Sequence, residues 1–207
     1  MRSLALVLTA LLLGACVQTR VAGYVDPAYR GGPKIGSMVV AADTQRLGER
    51  EALEGAAVAE LGKRGVRAVR MIDLVPPTRP GGPQVEAAAI RTAGVRAVLR
   101  IAVDQRGVTA RFIPPTYVSD PFFPYGGFGY GYGYGPYRGP FTGPVTGGGW
   151  VQEPTARYDA TLEDTGNQAT IWKADAVARG NSSADFADLA AKVAQDLVDR
   201  LQRDGVI

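Results

Sequence analysis

Residues 114–150 hold eleven of the 27 glycines and seven of the 14 prolines, with six tyrosines, four phenylalanines and Trp150 between them. Glycine loses more backbone freedom on ordering than any other residue, and proline withholds a backbone donor. A stretch of this composition cannot build a packed core, so a folded domain has to be assembled from its two flanks, 35–113 and 151–207. Within it, Phe128, Tyr130, Tyr132 and Tyr134 alternate with glycine. If extended, that alternation places four rings on one face and bare backbone on the other. Such a face can stack on sugars, on other aromatic segments or on itself, and with Trp150 it forms the candidate contact surface of the chain. Repeat slippage in a tolerated loop explains the same pattern without any role, because loop-closure entropy grows slowly with length.

The amino terminus reads as an address. Met1-Arg2-Ser3 is a short basic start, Leu4 to Leu13 is an apolar run, and Gly14-Ala15-Cys16 follows. The run is too short for a membrane span of ~20 apolar residues, and the basic, apolar, small-residue order is that of an export signal. Leu13-Gly14-Ala15-Cys16 also resembles a lipobox. In that motif the thiol of the cysteine is alkylated with a diacylglycerol, the signal is cut before it, and the new amino group is acylated. The expectation is a cleaved signal over 1–15, lipid (including palmitate-type acyl chains) on Cys16, and a flexible tether over 16–34 reaching up to ~60 Å. Val17, rather than Asp, follows the cysteine, and by the enterobacterial sorting habit this points to the outer membrane, with the domain facing the periplasm.

The flanks carry the periodicities of an α/β domain. Ile35 to Ala42 reads as a buried strand, and Gln45 to Arg64 as a helix capped by Asp43 or Thr44, with Glu49, Glu51, Glu54 and Glu60 placed around its apolar stripe. Gly65 is a left-handed cap, and Val66 to Val75 reads as a second strand. Gln84 to Ala93 makes a short helix closed by Gly94. Val95 to Val103 is the best central strand, with Val108 to Ile113 as a hairpin return or a long continuation. Ala156 to Asp164 and Ala169 to Ala178 form a hairpin across Thr165-Gly166-Asn167, and Ala184 to Arg203 is a final amphipathic helix capped by Ser182 or Ser183. The expected fold is a single two-layer α/β (α+β) domain. About three helices lie on one face of a mixed sheet of five or six strands, and the Gly/Tyr/Pro-rich loop interrupts it.

Three segments carry a likeness to known proteins: MVVAADTQRLGEREALEGAAVAELGKRGVRAV, GVRAVLRIAV, and YDATLEDTGNQATIWKADAV with its closing DLVDRLQRDGVI. With the lipobox, they resemble small bacterial envelope lipoproteins whose domain is like the amino-terminal domain of TolB, or like the curli-secretion lipoprotein CsgG. The resemblance covers about 130 residues and omits the insertion. It implies a fold and a place in the envelope. It carries over no catalytic residues, and the pore-forming segments of CsgG have no counterpart here.

The chain has no histidine and a single cysteine. That removes Ser-His-Asp and Cys-His catalysis, histidine-ligated zinc, internal disulfides and Cys-x-x-Cys redox chemistry. Cys16 is spoken for by the lipobox, so no metal or cofactor is expected. After residues 1–15 leave, 22 basic residues face 20 acidic ones, with no basic block, which disfavours nucleic acid as a partner. Gly62-Lys63 lacks the Ser or Thr and the glycine spacing of a P-loop, and Asn181-Ser182-Ser183-Ala184 lacks the second glycine of a nucleophile elbow. Trp172 and Tyr158 are expected in the core. Glu163-Asp164 with Asp159 is the nearest approach to a carboxylate cluster: Asp159 and Glu163 share a strand face and are weighed for glycosidase-like hydrolysis, while Glu163 to Asn167 also reads as a polar hairpin turn. The leading expectation is a non-enzymatic envelope interaction or assembly module, lipid-anchored and meeting a protein or peptidoglycan partner. A wall-binding or self-associating role through the insertion is its rival, and a carboxylate hydrolase is the remote one.

Overall fold

The structure, a computed structural model, describes residues 16–114, 116–117, 145–146 and 148–207. The expected signal segment 1–15 lies outside those residues. The chain divides into two compact units, one formed by the residues up to Thr109 together with Glu153–Ile207, the other by Ala110–Gln152.

In chain order the elements are β1 (Val17–Val25), a 3-10 turn (Pro27–Tyr29), β2 (Ser37–Asp43), α1 (Leu47–Lys63), β3 (Arg67–Arg70), α2 (Met71–Leu74), α3 (Pro83–Ala93), β4 (Ala97–Ile113), β5 (Thr116–Tyr117), β6 (Val145–Thr146), β7 (Gly149–Asp164), β8 (Thr170–Gly180) and α4 (Phe186–Arg203). Six of the strands form one sheet in the order β1-β8-β7-β4-β2-β3. β2 runs parallel to β3 and β4, while β8 runs antiparallel to both β1 and β7, so the sheet is mixed, as expected. In the second unit, β5 and β6 pair antiparallel.

β2 shows how the sequence sets the layers. Its apolar run Met38 to Ala42 is buried throughout, so both of its faces are covered. Met38, Val40 and Ala42 meet the larger core under α1 and α4, together with Leu99, Ile101, Tyr158, Leu162 and Trp172. Val39 and Ala41 face the other way and pack with Met71, Val75, Ile90 and Val98. The expectation of three helices on one face is therefore corrected: α1 and α4 cover one face, while α2 and α3 cover the opposite face at the β3–β2–β4 end. A near-continuous apolar strand needs that double cover, whereas the alternating strands β7, β8 and β1 need only one. Ala174, Ala176 and Ala178 on β8 are small enough to let the stripe Leu189, Val193, Leu197 and Leu201 of α4 approach closely. Burial of each of those Leu and Val side chains stabilises by about 1.5–3 kcal/mol.

The expected tether is also overturned. Val17–Val25 is an edge strand, paired with β8 from Val17 opposite Gly180 to Val25 opposite Trp172. Its alternation places Val17, Val21 and Val25 against the core beneath α4, a period-two pattern that outweighs its lone internal glycine. Gly23 leaves room for α4 there: a Cβ would stand 2.8 Å from Asp204 Oδ2 and 3.0 Å from Arg200 Cγ and would push those side chains aside.

Other expectations shift locally. Val66 to Val75 is not one strand: pairing stops at Arg70, and Met71–Leu74 turns into a helix because the buried Glu54 Oε2 accepts the Ile72 amide at 2.8 Å. Of the two readings of Val108 to Ile113, the long strand holds, and β4 runs unbroken through Asp104-Gln105-Arg106-Gly107. Helix α1 begins after Arg46 with no side-chain cap, while Thr44 donates to Glu49. Helix α4 starts later than expected, capped by Asp185 rather than Ser182 or Ser183, in a reciprocal capping box with Asp188. Gly65 and Gly94 do take positive φ of 76° and 59°, which a side chain rarely tolerates.

Candidate functional site

Cys16 is exposed and stands one residue before β1. Its carbonyl accepts the Asn181 amide at 3.1 Å, which extends the β1–β8 ladder by one rung. The rung is held where β8 runs into α4. At Gly180 a Cβ would lie 2.6 Å from Ala184 Cβ and 2.9 Å from Leu189 Cδ1. The thiol is thus fixed to one end of the sheet, with no intervening linker.

From that end, the face of β1, β8 and β7 that the described residues leave uncovered reads in rows. Arg179 lies between Gln18 and Thr155; in the next row Val177 lies between Arg20 and Arg157; in the third, Asp175 lies between Ala22 and Asp159; then Lys173 lies between Tyr24 and Thr161. Arg20, Arg157, Arg179 and Val177 are all exposed. A shallow groove of about 280 Å³ runs between Arg157, Arg179, Thr155, Thr109 and Gln105. In the third row Asp159 and Asp175 face each other, and burial, then the Asp104 and Asp175 carboxylates, push the Asp159 carboxyl above its usual range.

Asp159 and Glu163 are not brought together as a catalytic pair. Four residues along one strand separate them by ~13 Å, beyond the ~5–9.5 Å of paired glycosidase carboxyls. Glu163 instead faces Arg100 Nε at 3.6 Å. Among the described residues no group of acidic or cysteine side chains is arranged to hold a metal ion. Gly62-Lys63 ends helix α1, and Ser182 and Ser183 are exposed beside the Asn181 side chain.

Trp172 and Tyr158 are core residues, each about 1% exposed. The Trp172 indole donates to Asp204 Oδ2 at 2.8 Å. Burial first, and the Glu49 carboxylate second, raise the Tyr158 hydroxyl well above its usual value of 10.0. Glu49 and Glu54, expected as charges around the stripe of α1, are both buried. Glu54 accepts from the Ala42 amide at 3.0 Å and from Arg50 Nε at 3.0 Å, while Glu49 meets Thr44 and Arg106. The signal was their place beside Leu53 and Ala57 on the same helical arc.

In the second unit, Trp150 is 71% exposed and its ring stands 5.5 Å from that of Phe112, which is also exposed. Phe128, Tyr130, Tyr132 and Tyr134 lie outside the described residues.

The fold is similar to that of solved bacterial proteins. The PelC dodecamer from Paraburkholderia phytofirmans aligns over 89% of this chain and 98% of its own, with 19% identity and a TM-score of 0.48. Lipoprotein GNA1162 from Neisseria meningitidis aligns over 83% and 99%, with 12% identity and a TM-score of 0.43. A minor lipoprotein from Acinetobacter baumannii aligns over 83% and 91%, with 11% identity and a TM-score of 0.32. No residue role is carried over from them. No family model matches the chain, and no curated protein does.

Proposed function

We propose that this chain is a lipid-anchored lipoprotein of the bacterial envelope, attached through Cys16 to the outer membrane with its domain facing the periplasm. In this reading it is a non-enzymatic module that joins or supports an envelope assembly. The observation that carries the reading is the junction at Cys16. The lipobox thiol, on the residue that cleavage would make the mature terminus, is exposed at the sheet's edge one residue before β1. An exported domain without histidine lacks the commonest general acid–base residue and is better suited to contact than to catalysis. The contact residues in this reading are the exposed aromatic pair Phe112 and Trp150 and, by sequence, Phe128, Tyr130, Tyr132 and Tyr134. Partner capture from crosslinked envelopes tests it: a partner retained by the parent and lost on Trp150→Ala is the expected result. The same partners after that change, and after deletion of 117–148, would remove the aromatic surface from the account.

The same exposed pair favours a second reading, attachment to peptidoglycan. Cosedimentation with isolated sacculi decides it, and a domain that stays in the supernatant excludes it.

A further inference from the structure

We infer that the uncovered sheet face at the Cys16 end, centred on Arg20, Arg157 and Arg179, docks on the anionic phospholipid headgroups of the membrane to which Cys16 is attached. This rests on the reading of Cys16 as the anchor. It adds how the domain is held there: sheet face down, with α1 and α4 on the side away from the lipid.

Three observations carry it. The first is position. Arg179 is one residue from Gly180, the partner of Val17, and Arg20 is four residues from Cys16. Adjacent strands lie ~4.8 Å apart, so the Arg20 and Arg157 backbones, with β8 between them, are ~10 Å apart. Along the strands the three arginine backbones lie ~7–13 Å from Cys16, comparable with the ~8–10 Å over which a charged lipid surface acts.

The second is that these charges are uncommitted. Several arginines elsewhere in the domain are tied down, Arg50 to Glu54, Arg64 to Glu60, Arg106 to Glu49 and Arg200 to Asp204, while Arg79 and Arg91 stand exposed and apart from this cluster. Arg20, Arg157 and Arg179 are exposed and make no side-chain hydrogen bond or ion pair among the described residues. Between Arg157 and Arg179 runs the shallow groove with the Thr155 and Thr109 side chains on its walls. At about 280 Å³ it falls short of the usual ~300–1,000 Å³ of a small-molecule pocket, yet it offers cationic forks and hydroxyls, the groups that bind phosphate oxygens. Exposed Val177 lies amid the arginines, an apolar contact of the kind an interfacial face presents to the acyl boundary.

The third is charge order. One row farther from Cys16, ~7 Å along the strands, the face turns acidic with Asp159 opposite Asp175. A negatively charged surface attracts the two arginine rows and repels the third row, with Lys173 a single positive charge beyond it, so the attraction is strongest at the Cys16 end.

The test uses residues 16–207 carrying Cys16→Ser, a chain that contains every described element of the fold and no lipid. It is floated with vesicles of phosphatidylglycerol or of phosphatidylcholine at low salt. Binding to phosphatidylglycerol should exceed binding to phosphatidylcholine and should weaken as salt rises. Each Arg→Gln change should cost about fivefold, equivalent to about 1 kcal/mol per basic residue at an anionic surface, and the Arg20, Arg157 and Arg179 triple on the order of a hundredfold. The triple Arg→Lys variant should keep most of the binding. Equal binding to both lipids, an unchanged Gln triple, or a Lys triple as weak as the Gln triple would overturn the docking face. The anchor is read separately, from the mass of Cys16 in the protein isolated from cells. An unmodified Cys16 beside intact phosphatidylglycerol binding would overturn the anchor alone.

Discussion

Trp172 Nε1 donates to Asp204 Oδ2 at 2.8 Å, and the same oxygen accepts Arg200 Nε at 3.0 Å. Arg200 in turn donates to the Gly23 carbonyl at 3.1 Å, so one carboxylate joins β8, the end of α4 and the edge strand β1. Asp204→Ala would leave a buried indole N–H without a partner and release Arg200. The expected loss is about 1–3 kcal/mol, measured by urea unfolding. No change in stability would show that β1 is held by its ladder alone.

Glu54 is wholly buried and accepts two backbone amides, Ala42 at the end of β2 and Ile72 in α2. Glu54→Ala should cost ~3 kcal/mol, because it orphans both donors and strands Arg50. Hydrogen exchange should accelerate at the Ile72 amide before it does in α4. Protection retained at Ile72 would contradict the claim that Glu54 turns this segment from strand to helix.

Asp159 directly faces Asp175, a like-charge pair on the open face. Its folded-state pKa is raised by burial first, then by Asp104 and Asp175. The folded state therefore holds this proton more tightly than the unfolded chain. That contribution to stability is complete below the unfolded value of about 3.8 and is lost as pH rises through the raised folded value. Asp159→Asn should then stabilise the domain at pH 7 by ~0.2–1 kcal/mol, with the advantage vanishing at pH 3. Thermal melts at both pH values measure it, and a variant less stable than the parent at pH 7 would contradict the sign.

Legibility in the sequence followed the strength of each periodicity. The stripe of α4 and the alternation of Tyr158, Ala160 and Leu162 are long enough to be read directly, and both form the core as expected. In sequence Val17–Val25 has the look of a tether, because Gly23 and the nearby Pro27 are loop residues by type. Its strand depends on the open edge of β8 and on α4 passing over Gly23, neither visible within nine residues. Glu54 misled for a similar reason. A glutamate in a helix is ordinarily solvated, and only the amides of two distant segments make its burial favourable. The candidate site was legible in part: Cys16 and Trp150 stand out by motif and composition, whereas the arginine cluster does not exist until three strands come into register.

The central claim is the attachment at Cys16, and intact-mass measurement of the protein purified from bacterial membranes tests it most directly. The account predicts a chain that begins at Cys16 and carries a diacylglyceryl group with an additional acyl chain. In membrane fractionation, Cys16→Ser should carry no lipid and should leave the membrane fraction. A chain found with residues 1–15 intact or with a free Cys16 thiol, and held in the membrane equally well after Cys16→Ser, would contradict it.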